Sequence, residues 1–133
     1  MGWSQDDMDF YGEWDHPAAR WLGTSLEVTI TKSAEETAPT AEALTLLDTI
    51  GSHLEAVLAQ AEAALVARYG SVEAVVGKIA EPQVWIDASG GCHDLTREEW
   101  TLLVPRKTGG PDAVWHLEFS GGVLRECWDG AEA

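Results

Sequence analysis

The segment from Thr40 to Arg68 contains no proline, a single glycine at Gly51, and otherwise many residues that favour helix, chiefly Ala, Leu, Glu and Gln. Apolar residues recur within it at spacings of three and four, which places them along one stripe of an α-helix. The members of the stripe are Leu47, Ile50, Leu54, Val57, Leu58, Ala61 and Leu65. A helix with such a stripe packs against another apolar surface, so the segment predicts one long helix that covers a sheet.

Strand-like segments flank this helix. Leu26, Val28 and Ile30 alternate with polar residues, which predicts an N-terminal strand. The polar segment Ser33–Pro39 is predicted to be a loop. A short helix is predicted from Ser71 to about Ile79, with a strand as the alternative. The strands predicted after it are Val84–Ile86, Trp100–Val104, Ala113–Phe119 and Val123–Trp128. The predicted fold class is therefore α+β, with one long helix packed on an antiparallel sheet of four to five strands, in the order N-terminal strand, helix, four-strand meander.

Aromatic residues are concentrated in the predicted strands and at the N-terminus. We expect the rings of four tryptophans to fill the interface between helix and sheet, the alternative being an exposed binding face. These tryptophans are Trp85, Trp100, Trp115 and Trp128. If the sheet has no second layer, its outer face would carry Thr, Arg, Glu and His and would form a recognition surface. Residues 1–21 form an acidic, aromatic N-terminal segment, which we expect to be pinned onto the domain by its aromatic side chains.

Size and charge limit the possible functions. With 133 residues, the chain fits a single α+β domain over residues 1–133. Acidic residues outnumber basic ones 23 to 8, which gives a formal net charge of −15. A surface this negative repels DNA, RNA and anionic membranes, because contacts to phosphate need clustered Lys and Arg. The charge therefore favours cationic partners, although solubility alone would also account for it.

The N-terminal residues lack the basic segment and the apolar run of a secretory leader. No stretch of the sequence approaches the roughly 18 to 20 apolar residues that span a bilayer. We therefore expect a cytoplasmic protein in which Cys92 and Cys127 are reduced.

Cys92, His93 and Asp94 stand together in a glycine-rich loop and offer a nucleophile, a base and an orienting carboxylate. Adjacent residues seldom meet in that way, and an acidic chain does not readily activate a thiol. A zinc site made of Cys92, His93, His116 and Cys127 would match no recognised ligand spacing. The sequence also lacks the usual motifs for nucleotide binding, zinc proteolysis and serine hydrolysis. We therefore expect no metal site, no cofactor and no enzymatic activity.

The predicted helix carries a second row of residues beside its apolar stripe. Asp48, Glu55 and Glu62 are spaced seven residues apart, and we refer to them as the acidic ridge. No Lys or Arg lies between Lys32 and Arg68 to neutralise it. A solvated flank is the simplest interpretation, and a contact surface for a cationic protein is the functional one.

Four features define the layout of the chain. They are the acidic surface, the acidic ridge, the acids among aromatics at Asp6, Asp7 and Asp9–Asp15, and the closing segment Trp115–Gly122. In this layout the chain resembles the small acidic α+β immunity proteins that bacteria encode beside polymorphic toxins. The resemblance implies neutralisation by occlusion, in which an acidic surface docks on the basic cleft of a toxin, often a nuclease, and excludes its substrate. A nucleic-acid mimic that acts on a defence or phage enzyme is a related form of this hypothesis.

The implied partner is a basic protein, and no direct contact with nucleic acid or membrane is expected. The candidate partner-binding residues are Asp48, Glu55 and Glu62 of the acidic ridge, and Asp9, Glu13 and Asp15 of the N-terminal segment. Two alternatives are a small enzyme or ligand-binding domain with its site in the 89–94 loop, and a structural or assembly subunit that oligomerises through its sheet. The oligomeric state is left open.

Overall fold

A computed structural model describes residues 2–32 and 35–132, which form a mixed β-sheet covered on one side by helices. The strands in these ranges are β1 (Ser4–Gln5), β2 (Asp9–Glu13), β3 (Arg20–Trp21), β4 (Thr24–Ser25), β5 (Glu27–Thr31), β6 (Gln83–Asp87), β7 (Glu99–Pro105), β8 (Val114–Ser120) and β9 (Val123–Asp129). The α-helices are α1 (Ala41–Ser52), α2 (Leu54–Tyr69) and α3 (Val72–Lys78). Across the described ranges, none of these helices has the combined length and apolar character needed to cross a membrane.

The main sheet has seven strands in the order β1-β2-β5-β6-β7-β8-β9, and β3 and β4 form a separate two-stranded sheet. β5 and β6 pair in parallel, whereas the other neighbours are antiparallel. A parallel pair needs a long crossover, and the three helices supply it. The prediction of a four- to five-stranded antiparallel sheet is therefore wrong, because β1, β2 and the parallel pair extend it. The predicted C-terminal meander is confirmed as β6 to β9.

The prediction of one long helix is also wrong. α1 ends at Ser52 and α2 begins at Leu54, and the backbone between them, at His53, has φ −125° and ψ 18°. The N-terminal segment crosses the helices at this break. A Cβ atom on Gly51 would lie 3.1 Å from Cδ2 of His16 and 3.3 Å from Cζ2 of Trp14, so glycine makes the close approach possible. The predicted apolar stripe is nevertheless buried along both helices.

The three remaining predictions of local structure have different outcomes. The short helix after Ser71 is confirmed as α3, and the Ser71 hydroxyl caps it by accepting a hydrogen bond from the Ala74 N–H at 3.2 Å. The predicted loop Ser33–Pro39 lies partly outside the described residues, and its described part, residues 35–39, has no helix or strand. The N-terminal segment is pinned as predicted, since Phe10 and Trp21 are both buried in the core.

The core lies between the helices and one face of the sheet. Along β5 and β8, buried apolar residues alternate with partly exposed ones, which indicates that the described helices and strands leave most of the other face uncovered. Trp100 and Trp115 belong to the core, as predicted. Trp85 and Trp128 point to the other face and are partly exposed, so the prediction that all four rings fill the interface is wrong for these two.

The outer edge of β9 is covered by side chains from α2. The amide oxygen of Gln60 accepts a hydrogen bond from the Leu124 N–H at 2.9 Å, and its NH₂ group donates to the Gly122 carbonyl at 2.9 Å. Further along the strand, Arg68 donates to the Cys127 carbonyl at 3.1 Å. Backbone groups that an edge strand would otherwise expose are therefore occupied from within the same chain.

Candidate functional site

The loop after β6 is organised by Asp87, which is 3% exposed. Its carboxylate accepts hydrogen bonds from the backbone N–H of Ser89 at 2.9 Å, from the Ser89 hydroxyl, and from the backbone N–H of Cys92 at 2.8 Å. Burial raises the pKa of Asp87, but these hydrogen bonds outweigh burial and hold the pKa below its usual value. The carboxylate is thus an ionised structural centre of the loop.

His93 holds the same loop against the sheet. Its Nδ1 accepts a hydrogen bond from the Asp87 N–H at 2.8 Å, and its Nε2 lies 2.9 Å from Oγ1 of Thr101. The ring packs on Trp85 with a centroid separation of 4.7 Å. Since Nδ1 is an acceptor, the neutral ring carries its proton on Nε2 and donates it to Thr101. Neither nitrogen is available as a general base.

The neighbours of His93 are also unsuited to nucleophilic catalysis. Burial, followed by the negative charge of Asp87, raises the pKa of the Cys92 thiol and keeps it protonated at neutral pH. The Asp94 carboxylate accepts a hydrogen bond from the Thr96 N–H at 3.0 Å and caps the 3₁₀ turn Leu95–Arg97. Each residue of the Cys92-His93-Asp94 triplet therefore has a structural role in the loop.

The four residues considered as zinc ligands do not form a site. His116 lies on the open side of the sheet and stacks on Trp128 with a centroid separation of 3.9 Å. Cys127 pairs with the buried Leu117 on the side that faces the helices. Among the described residues, no three His, Cys, Asp or Glu side chains converge as metal ligands would.

The role of His93 gives a testable pH dependence. Burial lowers the pKa of His93 below its ordinary value of 6.5, although the charges of Asp87 and Glu99 oppose this effect. Stabilisation by the neutral ring is therefore complete above pH 6.5 and is lost as the pH falls from there towards the pKa of the folded protein. We expect His93→Gln to cost about 2 kcal/mol of unfolding free energy at pH 7.5 and to reduce the loss on going to pH 5.5.

Urea unfolding at the two pH values measures this effect. His116→Gln is the matched control, because burial also lowers the pKa of His116. We expect the His116→Gln protein, which retains His93, to keep most of the pH dependence of the wild-type stability. An unchanged pH dependence in His93→Gln would contradict the assignment.

Two surface depressions among the described residues were candidates for a ligand site, and neither is an enclosed pocket of ligand size. A pocket of about 130 Å³ lies between α1 and the β8–β9 turn, lined by Ile50, Val57 and Trp100, and is smaller than the usual ligand site. A broader depression beside the 88–94 loop is open to solvent and bordered by the carboxylates of Glu42, Asp94 and Glu99. Neither depression gathers both Cys92 and His116 with a free base.

The structure places the candidate partner-binding residues on different sides of the molecule. Asp48, Glu55 and Glu62 lie on the outer part of the helical layer, with the first two exposed. Asp9 and Glu13 alternate with the buried Phe10 and so project from the opposite face of the sheet. Asp15 is exposed in the segment that leads towards the helices. One flat partner surface would therefore not contact all six residues.

A group of aromatic and acidic residues on the uncovered side of the sheet was only partly identified from the sequence. We call it the open face and define it by strand residues that alternate with the core residues. Its members are Asp9, Tyr11, Glu13, Glu27, Thr29, Gln83, Trp85, Thr101, Leu103, His116, Glu118, Glu126 and Trp128. The alternation of Val84, Trp85 and Ile86 already carried the signal, because Trp85 must face away from its two apolar neighbours.

Comparison with known proteins gives no matching family model, no matching curated protein and no matching solved structure.

Two acidic surfaces are candidates for partner contact, namely the acidic ridge on the helices and the open face of the sheet. The Cys92-His93 loop lies against the open face, where His93 packs on Trp85 and contacts Thr101.

Proposed function

We propose that the protein is an inhibitor that binds a basic protein and covers that protein's working surface, as an immunity protein covers its toxin. The observation that carries this proposal is the uncompensated negative charge. The 8 basic residues leave a formal charge of −15 from the 23 acidic ones. Even full internal pairing would thus leave a large excess of carboxylates, and exposed examples lie on both sides of the molecule at Glu13, Asp48 and Glu55.

A field of this sign and size has physical consequences for binding. It accelerates encounter with a positively charged protein and orients it, and it repels nucleic acid. A basic cleft that normally holds a nucleic-acid backbone is complementary to such a surface. A nuclease toxin is therefore the partner class that we favour, with the inhibitor occupying the place of the substrate.

The structure of the 88–94 loop also favours binding over reaction at that position. Asp87, His93 and Asp94 are engaged in hydrogen bonds that fold the loop, and the Cys92 thiol has a raised pKa. Groups prepared for catalysis usually have pKa values shifted towards their working form. The pKa of the Cys92 thiol is instead raised, which disfavours the reactive thiolate.

The test is capture of partners from the source cells on the immobilised protein at low ionic strength, followed by purification of the captured protein. We expect a basic protein whose activity, nuclease activity in the favoured case, is lost at equimolar inhibitor. We also expect the association rate to fall as salt rises from about 0.01 M to about 0.15 M, because the screening length shortens from about 30 Å to about 8 Å.

An unrelated acidic protein of similar size and charge serves as the control for non-specific adsorption. The proposal is wrong if the purified partner keeps full activity in the complex, or if its association rate is independent of salt.

A further inference from the structure

The open face spans six strands, and the 88–94 loop covers it at Thr101, which is 2% exposed and lies 2.9 Å from Nε2 of His93. One row of cross-strand neighbours joins β2 to β9 without interruption, and it consists of Tyr11, Thr29, Trp85, Thr101, Glu118 and Glu126. Five spacings between strands of about 4.8 Å give this row a width of about 24 Å. The exposed residues on the two sides of the 88–94 loop together reach the scale of the centre of a protein–protein contact.

Aromatic side chains are held in place on this face. The indole N–H of Trp85 donates to Oγ1 of Thr31 at 2.9 Å, and that of Trp128 donates to Oε2 of Glu118 at 3.0 Å. His116 stacks on Trp128 with an interplanar angle of 9°, and Tyr11 is 43% exposed. Rings fixed before binding lose little conformational entropy in a complex, which is why such residues are frequent anchors in interfaces.

Carboxylates surround these rings. Glu13 lies directly opposite Glu27 in the antiparallel pair β2–β5, and Glu118 lies directly opposite Glu126 in the pair β8–β9. Like charges in such positions destabilise a sheet. A side-chain hydrogen bond between Glu118 and Glu126, followed by the negative charge of Glu118, raises the pKa of Glu126. Two pairs of this kind on one face weaken the fold, and a positively charged partner side chain beside each pair would relieve the repulsion there.

The chain brings little positive charge of its own to this face. None of the described strand residues that alternate onto it is Lys or Arg. Arg125, the additional residue at the β8–β9 bulge, lines a groove at one end with Glu118 and Glu126. Its single charge is insufficient to balance the four glutamates of the two pairs.

The charge of the face decides between its possible occupants. A second copy of the chain would bring the same carboxylates against one another, and nucleic acid or an anionic membrane would be repelled. A basic protein surface is complementary, since arginine both pairs with carboxylates and stacks on aromatic rings. We propose that the open face is the surface that binds the basic partner, with Tyr11, Trp85 and Trp128 packing against its arginine or lysine side chains; this inference rests on the proposed function.

Two charge-matched double variants test this assignment. Glu13→Lys/Glu126→Lys changes the open face, whereas Glu55→Lys/Glu62→Lys changes the acidic ridge by the same total charge. An octa-arginine peptide at low ionic strength is the first probe, and the captured basic protein is the second. We expect the open-face variant to weaken binding about tenfold, equivalent to about 1.4 kcal/mol, and the ridge variant about twofold or less.

Stability provides an independent measurement of the same variants. In the open-face variant each new lysine lies opposite a glutamate, so a repulsive pair becomes an attractive one. We therefore expect its unfolding midpoint to rise while its affinity falls. A residue with a purely structural role would not separate the two quantities in this way.

Peptide titration followed by NMR locates the contact directly. We expect the indole signals of Trp85 and Trp128 to shift and those of the buried Trp100 and Trp115 to stay unchanged. Equal weakening by the two variants, or signal shifts on α1 and α2 instead, would show that the open face is not the contact surface while leaving a basic partner in place. Absence of any binding to wild-type protein at low salt would contradict the proposed function as well.

Discussion

Replacement of Trp100 by alanine is expected to lower the free energy of unfolding by about 3 to 5 kcal/mol, the largest loss that we predict for a single substitution. Trp100 is 2% exposed and stacks on Phe119 with a centroid separation of 4.6 Å and an interplanar angle of 9°. Truncation removes this contact and leaves a cavity between sheet and helices. Urea unfolding, followed by circular dichroism, measures the effect.

Trp128→Ala is the matched control, because it removes the same ring from the opposite face of the sheet. The Trp128 side chain stacks on His116 and donates to Glu118, and it is partly exposed. We expect its truncation to cost about 1 kcal/mol or less. Equal losses in the two variants would mean that both faces are covered, and would contradict the open face.

Replacement of Asp87 by alanine is the second large effect, with an expected loss of about 3 kcal/mol. The substitution removes the acceptor for the N–H groups of Ser89 and Cys92 and for the Ser89 hydroxyl. Because the pKa of Asp87 is held below its ordinary value of 3.8, its stabilisation is present above that pH and is lost as the pH falls through the lowered pKa. The variant should therefore also lose part of the wild-type decline in stability at acid pH.

Asp94→Ala is the control within the same loop. Asp94 is exposed and caps only the short turn Leu95–Arg97, so we expect a clearly smaller loss of stability than in Asp87→Ala. Hydrogen exchange of the loop amides separates the two variants, since only Asp87→Ala should release the Cys92 N–H. If both variants behave alike, Asp87 is not the organising group.

Local periodicity accounts for the parts of the fold that could be predicted from sequence. The alternation around Val28 and Ile30, the apolar stripe ending at Leu65, and the two strands joined at Gly121-Gly122 each depend on neighbours within a few residues. Such patterns report which side of an element is buried. They are therefore confirmed at the level of individual side chains.

Interactions between distant segments account for the parts that could not. The parallel pairing of β5 with β6 joins residues such as Val28 and Val84, and nothing in either strand specifies it. Asp9–Glu13 contains acids and a glycine, which disfavour strands, yet it pairs with β5 because Phe10 fills the core. The helix break near Gly51 lies where Trp14 and His16, which are far away in sequence, pack closely against the helices.

The open face was predictable only in part for a related reason. Alternation along β6 places Trp85 on the face of the sheet opposite Val84 and Ile86. The sequence does not show which of the two faces the helices cover, so it does not show whether Trp85 is exposed. Because large aromatic rings are usually buried, Trp85 and Trp128 were predicted to lie in the core. The acids Asp9 and Glu13 were identified as candidates, whereas their neighbours across the sheet depended on the register.

The hydrogen bonds from Gln60 and Arg68 to β9 bear on how the protein behaves at high concentration. Sheets tend to grow into fibrils by adding strands at a free margin, and here helix α2 occupies polar groups along one of the two margins. The other margin ends in β1, which has only two residues and offers a poor template for addition. A chain whose sheet edges are protected in this way can expose an aromatic surface without aggregating. We therefore expect a substitution of Gln60 to increase slow aggregation during storage at high concentration.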